Sequence, residues 1–258
     1  MIFRKTYLLI MLMIIFFSPI IYAEDGSFTI SSGVDYSTGD YGQSIDTKIV
    51  YIPFTARYDI GRWSLKATLP WLQIDGPGGV SGDSRVVTSN NVLTRRTTES
   101  GQGDLAAGAT YSAIVLNEQK LYVDLTAKVK LPTASESRGL GTGKTDYAVV
   151  VDAYKGMGAI TALATLGYRV LGDPSGINLN NVWFGTIGAV YKVNGKNSVG
   201  VTADFREATT AIGSSLREYT LFYSHKFDDT YKLQSYLVHG DTQSSVDWGG
   251  GLMLAVQF

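Results

Sequence analysis

The chain has no cysteine. A disulfide framework, a thiolate metal site and thiol catalysis are therefore excluded, as is a lipid anchor on an N-terminal cysteine. Proline is scarce, with 6 in 258 residues. A soluble sandwich of short strands would carry more of it in its connections. Neither sign of charge dominates. The formal net charge is −1, which gives no case for nucleic-acid binding. There are 2 histidines, and no carboxylates cluster at ligand spacing, so no metal site and no cofactor is expected. Beyond the first 23 residues, no run approaches the ~18 apolar residues with which a helix crosses a bilayer.

What is present begins with Arg4 and Lys5, followed by the apolar stretch "YLLIMLMIIFFSPIIYA", small Ala23, and polar Glu24 and Asp25. This is the layout of a secretory signal peptide cleaved after Ala23, with residues 24–258 as one exported domain. A membrane anchor is the alternative, and Pro19 with Ala23 favours cleavage. Glycine, at 29 of 258 residues, is well above the usual ~7 per cent, and tyrosine numbers 16. High glycine and tyrosine with low proline suit many strands joined by tight turns.

Period-two patterning runs through most of the domain. In "LYVDLTAKVKL", Leu121, Val123, Leu125, Ala127, Val129 and Leu131 oppose Tyr122, Asp124, Thr126, Lys128 and Lys130. Stretches 62–71, 198–206 and 219–227 alternate in the same way. About twelve strands are expected, at 26–38, 44–58, 62–74, 101–115, 119–132, 145–154, 159–171, 181–192, 197–209, 214–227, 230–241 and 246–258. Most exceed the ~5–6 residues usual in soluble sheets. A strand of ~10 residues tilted by ~40° rises about 25 Å, the height of the apolar band of an outer-membrane barrel. Short links at 59–61, 117–119, 155–158, 194–196 and 228–230 alternate with longer ones. Asn194-Gly195 is a strong hairpin signal, because both residue types accept positive φ. Tyr58, Trp63, Phe227, Tyr231 and Phe258 flank the short turns, whereas Trp71, Tyr147 and Trp183 lie near the long loops. Two aromatic belts at opposite strand ends are what two membrane interfaces select. The expectation is an all-β, antiparallel, up-and-down transmembrane barrel in the outer membrane of a Gram-negative bacterium. Its partners would be outer-membrane lipid and a small solute, with no nucleic acid. The closing stretch "GGGLMLAVQF" puts Leu252, Leu254, Val256 and Phe258 on one face. That pattern resembles the signal by which barrel-insertion machinery recognises outer-membrane proteins.

Three further stretches carry a family resemblance. "YIPFTARYDIGRWSLKATLPWLQ" (51–73) is an apolar hairpin ending in a leucine-proline-aromatic step. "SGQGDLAAGATYS" (100–112) opens a strand with Gly-x-Gly-Asp. "KVKLPTASESRGLGTGKTDYAVVVDAYK" (128–155) runs through Lys-x-Pro-Thr and an outer loop to Leu-Gly-x-Gly and Asp. Together they resemble the outer-membrane family labelled phenol-degradation meta-pathway transporters (MetA-like). The resemblance implies a barrel and a role in solute passage, with aromatic or apolar compounds as one solute class. It transfers no catalytic or binding residues.

No catalytic residue is assigned. "GLGTGKTD" (139–146) looks like a phosphate loop, but Arg138 stands where the motif needs glycine, and a strand follows where it needs a helix. A membrane-embedded hydrolase is an alternative, and His239 with Ser244 or Ser245 would have to carry it. A closed structural or surface-binding barrel is another. The passage reading rests on side chains that face inward by parity. The basic ones are Arg57, Arg62, Lys66, Lys128, Lys130, Arg169, Arg206, Lys226 and Lys232. The acidic ones are Asp59, Asp104, Asp124, Asp146, Asp152, Asp204 and Glu218. Near balance predicts a passage with little charge preference. Loop 75–100 is long enough to fold in and close it.

Overall fold

The alternation becomes a closed wall in the computed structural model, which describes residues 26–77, 80–81, 86–87 and 96–258. The expected signal peptide, 1–23, lies outside these residues, as does most of the stretch 78–95. The strands are β1 (Ser27–Gly39), β2 (Thr47–Ile60), β3 (Trp63–Gly76), β4 (Val80–Ser81), β5 (Val86–Val87), β6 (Thr97–Gln102), β7 (Leu105–Leu116), β8 (Leu121–Leu131), β9 (Asp146–Met157), β10 (Ile160–Val170), β11 (Val182–Lys192), β12 (Asn197–Arg206), β13 (Leu216–Lys226), β14 (Tyr231–Gly240) and β15 (Trp248–Gln257). Each wall strand pairs antiparallel with its sequence neighbour, and β1 pairs with β15 to close the ring. β6 and β7 both pair with β3, one above the other, and together form one stave. The result is a barrel of 12 staves. Closure leaves no unpaired edge in contact with lipid, which is what lets a sheet cross a membrane.

Outward positions carry the large apolar residues. Val149, Leu166, Ile187, Leu221, Leu237 and Leu252 all lie exposed on the wall. Inward neighbours such as Ser112, Thr126, Thr220 and Gln234 are buried and polar. Water at the outer surface would make this distribution unfavourable at roughly 25 cal/mol per Å² of apolar area, whereas lipid makes it stable. Exposed Tyr58, Trp63, Tyr223, Phe227, Tyr231 and Phe258 ring the end with short turns. Tyr147, Trp183, Tyr219 and Trp248 ring the end with long loops. These are the inner and outer rims respectively.

Two details depart from strict alternation. The stretch expected as one strand over 101–115 is broken at Gly103 and Asp104, which separate β6 from β7. A β-bulge between Ser112 and Ile114 then shifts the pairing with β8, turning Ile114 outward and Val115 inward. Without that extra residue, Ile114 would point into the lumen. The Ala- and Thr-rich strand expected at 159–171 is present as β10, fully paired on both sides.

Closed barrels in detergent unfold slowly, because every backbone hydrogen bond is satisfied within the ring. Unboiled protein is therefore expected to migrate differently from boiled protein on a detergent gel. Identical migration, together with solubility in the absence of detergent, would contradict a membrane barrel.

Candidate functional site

The outer mouth is built by the motifs that the sequence spaces far apart. Lys130, at the outer end of β8, donates from Nζ to Asp104 Oδ2 at 2.8 Å, to Thr142 Oγ1 at 3.1 Å and to the Lys144 carbonyl at 3.2 Å. Asp146 Oδ2 lies 3.2 Å from the same ammonium. Asp104 also accepts the Ala134 amide at 3.0 Å, and Thr133 bridges the Leu105 amide and the Gly103 carbonyl, both at 2.9 Å. Gly-x-Gly-Asp, Lys-x-Pro-Thr and Leu-Gly-x-Gly thus meet at one latch. The latch pins loop 132–145 into the mouth.

Glycine allows close packing at two positions there. A Cβ on Gly141 would lie 2.8 Å from the Asp104 carboxylate oxygens and 2.7 Å from Ala134 Cβ. A Cβ on Gly101 would lie 3.1 Å from Leu140 Cδ1. Leu140 itself is fully buried, in a cluster with Leu72, Tyr51, Ile49 and Tyr236 from the wall and Val246 from the last outer loop. Tyr41 joins the cluster from the first outer loop with a φ of 49°. That backbone costs a non-glycine residue roughly 1–2 kcal/mol, offset here by burial of the ring. The outer mouth is therefore narrowed by apolar packing on one side. Beside it, an open cleft of about 340 Å³ is lined by Glu99, Glu136, Arg138, Thr142 and Ile177, among others. Asp247, in the last outer loop, has its carboxyl pKa raised by partial burial and by the nearby carboxylates of Asp40 and Asp46.

Asp104, Lys130 and Asp146, expected to line the lumen, are drawn together in the latch at its outer mouth. Arg62 is also displaced: it falls in the turn before β3, where its guanidinium donates to the Ser112 carbonyl at 3.4 Å. The other expected lumen residues lie on the wall, and the register sorts them. Arg57, Lys66, Gly108, Lys128, Ala148 and Arg169 are successive lateral partners. Two residues along each strand, Ser64, Thr110, Thr126, Val150, Gly167 and Phe184 form the next inward row. Arg206 continues that row beside Phe184. Two residues further come Asp124, Asp152, Thr165, Thr186, Asp204 and Glu218.

Local contacts fix these charges in place. Thr165 and Thr186 each donate a hydroxyl at 2.6 Å, to Asp152 and Asp204 respectively, and Thr202 donates to Asp204 at 3.1 Å. Glu218 accepts the Val246 amide at 3.0 Å. Arg57 pairs with Asp59 at 2.8 Å, and the Arg169 guanidinium lies 5.4 Å from the Phe184 ring centre. Lys226 and Lys232 face each other near the inner rim, and Lys226 pairs with Asp229 at 2.6 Å. Lys66 faces inward yet remains exposed on the lumen surface.

The residues a hydrolase would need are engaged elsewhere. Ser245 Oγ donates to the Arg217 carbonyl at 2.9 Å and contacts Thr242 Oγ1 at 2.7 Å. His239 is outward, with Nδ1 2.6 Å from the Asp247 carbonyl and its ring stacked on Trp248. Ser244 accepts the Ser214 amide at 3.0 Å. At the inner rim, the Phe28 and Phe258 backbones bond to each other at 3.2 and 2.7 Å. Leu252, Leu254 and Phe258 lie exposed on the lipid side and Val256 half-buried beside them.

A closed antiparallel ring with an apolar outer wall, two aromatic rims and a polar lumen defines a transmembrane β-barrel of the outer-membrane type. The sequence matches the family described as "Putative MetA-pathway of phenol degradation" over residues 25–256, and the chain belongs to that family. No curated protein matches the sequence. Among solved structures, the fold is similar to an outer membrane channel from Pseudomonas putida F1 (TM-score 0.69, 15% identity, 90% of this chain and 96% of that one). It is also similar to the KdgM porin (TM-score 0.55, 9% identity, 89% and 99% covered). The translocator domain of the autotransporter NalP from Neisseria meningitidis shares it as well (TM-score 0.54, 11% identity, 91% and 89% covered). At these identities the likeness is one of fold.

Proposed function

We propose that the protein is a passive channel for small solutes across the outer membrane, narrowed at its outer end by loop 132–145. The observation that carries this reading is Lys66, exposed inside the closed ring, set against the packed outer mouth. The outer half is packed, with Leu140 and Leu72 fully buried, whereas inward Lys66 near the inner rim remains exposed. An interior of 12 staves is wider than the eight-stranded barrels that side chains fill completely. Arg57, Lys66, Lys128, Arg169, Arg206, Asp124, Asp152, Asp204 and Glu218 line the passage in this reading. The channel and the porin of similar fold support it by analogy. The family description suggests aromatic compounds as one solute class, which suits the apolar mouth. Leu252, Leu254, Val256 and Phe258 would be read by barrel-insertion machinery before the strand pairs with β1.

Reconstitution tests the proposal. The refolded protein in a planar bilayer is expected to give discrete conductance steps, and liposomes carrying it are expected to swell in small sugars. Liposomes as tight as empty ones would replace the channel with a structural barrel.

A further inference from the structure

The sequence counts nearly equal numbers of inward acids and bases, and the register gathers four of each into two stripes. Arg57, Lys66, Lys128 and Arg169 lie on one lateral row, separated only by Gly108 and Ala148. Asp124, Asp152, Asp204 and Glu218 lie on another, separated only by Thr165 and Thr186. The row between them is uncharged from Ser64 to Phe184, with Asp59 beside Ser64 at one end and Arg206 beside Phe184 at the other. Because staves tilt, a lateral row climbs the barrel. The basic row starts at Arg57, near the inner end of β2, and reaches Arg169, one residue from the outer end of β10. The acidic row climbs from Asp124 on β8 to Glu218, near the outer end of β13. On β8 the two rows are four residues apart, Asp124 to Lys128, or about 13 Å along the strand.

We propose that these two stripes make the lumen a filter for dipolar solutes, favouring zwitterions over uncharged molecules of the same size. This rests on the channel reading and names the solute class for the same passage. The physical reason is the field between the stripes. Water there is oriented by fixed charges of opposite sign in a confined, low-dielectric wall. An uncharged solute displaces that water and replaces none of its interactions. A single ion gains at one stripe and is repelled by the other. A zwitterion lying across the field gains at both ends and keeps doing so as it moves along the ramps. The carboxylates are held in position by Thr165, Thr186 and Thr202, whose hydroxyls donate to Asp152 and Asp204.

The test compares liposome swelling in 4-aminobutanoate, a zwitterion at neutral pH, with swelling in N-acetylglycinamide, uncharged and of similar size. Wild-type protein is expected to pass the zwitterion several-fold faster. Asp152→Asn with Asp204→Asn, which keeps acceptors for the threonines, is expected to bring the ratio close to one and shift the KCl reversal potential towards anions. Lys66→Gln with Lys128→Gln is expected to bring the ratio down equally and shift the potential towards cations. Gel mobility before and after boiling reports folding of each variant. Equal swelling in both solutes by wild-type protein overturns the filter and leaves the channel standing. Swelling in neither solute overturns the channel and the filter with it. A ratio that survives both pairs of substitutions also overturns the filter, because the stripes would then not be its cause.

Discussion

Lys130→Ala is expected to release loop 132–145 from the mouth and raise single-channel conductance. The Lys130 side chain is 11% exposed and its two carboxylate partners, Asp104 and Asp146, 2% and 6%. Removing one partner from a buried charge cluster typically costs about 3–5 kcal/mol, because the remaining charges are left uncompensated. Here two carboxylates would remain against each other in the mouth. The strand ladders do not depend on that loop, so the barrel is expected to stay closed while the loop undocks. Leu140→Ala should act in the same direction, since truncating a fully buried leucine costs about 2–5 kcal/mol. Trypsin provides an independent readout, because Arg138 and Lys144 lie within the loop. Cleavage there should be faster in both variants. Unchanged conductance with unchanged cleavage would show that the latch does not hold the loop.

The second large effect concerns the two faces of one strand. Val201 faces outward at the middle of β12 and is 53% exposed, whereas Thr202 faces inward and donates to Asp204. Arginine at a lipid-facing midplane site costs ~2–4 kcal/mol. Val201→Arg should therefore lower the folded fraction in lipid vesicles and shift denaturant unfolding to lower concentration. Thr202→Arg adds the same cation to the hydrated side, beside the acidic stripe, and should be much better tolerated. Leu125→Arg on β8 should behave like Val201→Arg, because Leu125 is also outward and 47% exposed. Equal loss at positions 201 and 202 would mean that the outer wall does not face lipid.

How much of this is legible in the sequence depends on the range over which each feature is specified. Alternation is local. Leu121, Val123, Leu125, Ala127 and Val129 declare their face within a few residues, and the wall follows them. Turn signals are local too: the chain reverses at Asn194-Gly195, though without the positive φ expected there, and Asn194 Oδ1 accepts the Lys196 and Asn197 amides at 2.9 Å. Most strands, the belts and the barrel class therefore follow from the sequence alone. Local patterning misses the bulge after Ser112, because an extra residue is visible only against the strand it pairs with. Nor does it place loop 132–145 in the mouth, beside Val80 from loop 75–100, the loop expected to fold in there. That docking depends on Asp104 meeting Lys130 across 26 positions, a distance over which spacing carries no information.

Charge placement shows the same division. Composition and parity determine which acids and bases face inward, since the period of two fixes the side for each residue. They leave open which residue on one strand stands beside which on the next. Lys66 lies next to Gly108, and Gly108 next to Lys128, because of the lateral offset between staves, which is set only when the ring closes. A shift of two residues in one pairing would keep every side chain on its face and still scatter the stripes. The sequence by itself determined the barrel, its outward apolar face and its inward charges; the tertiary structure alone decided that four bases and four acids form separate stripes and that the mouth is latched, because both depend on contacts between strands remote along the chain.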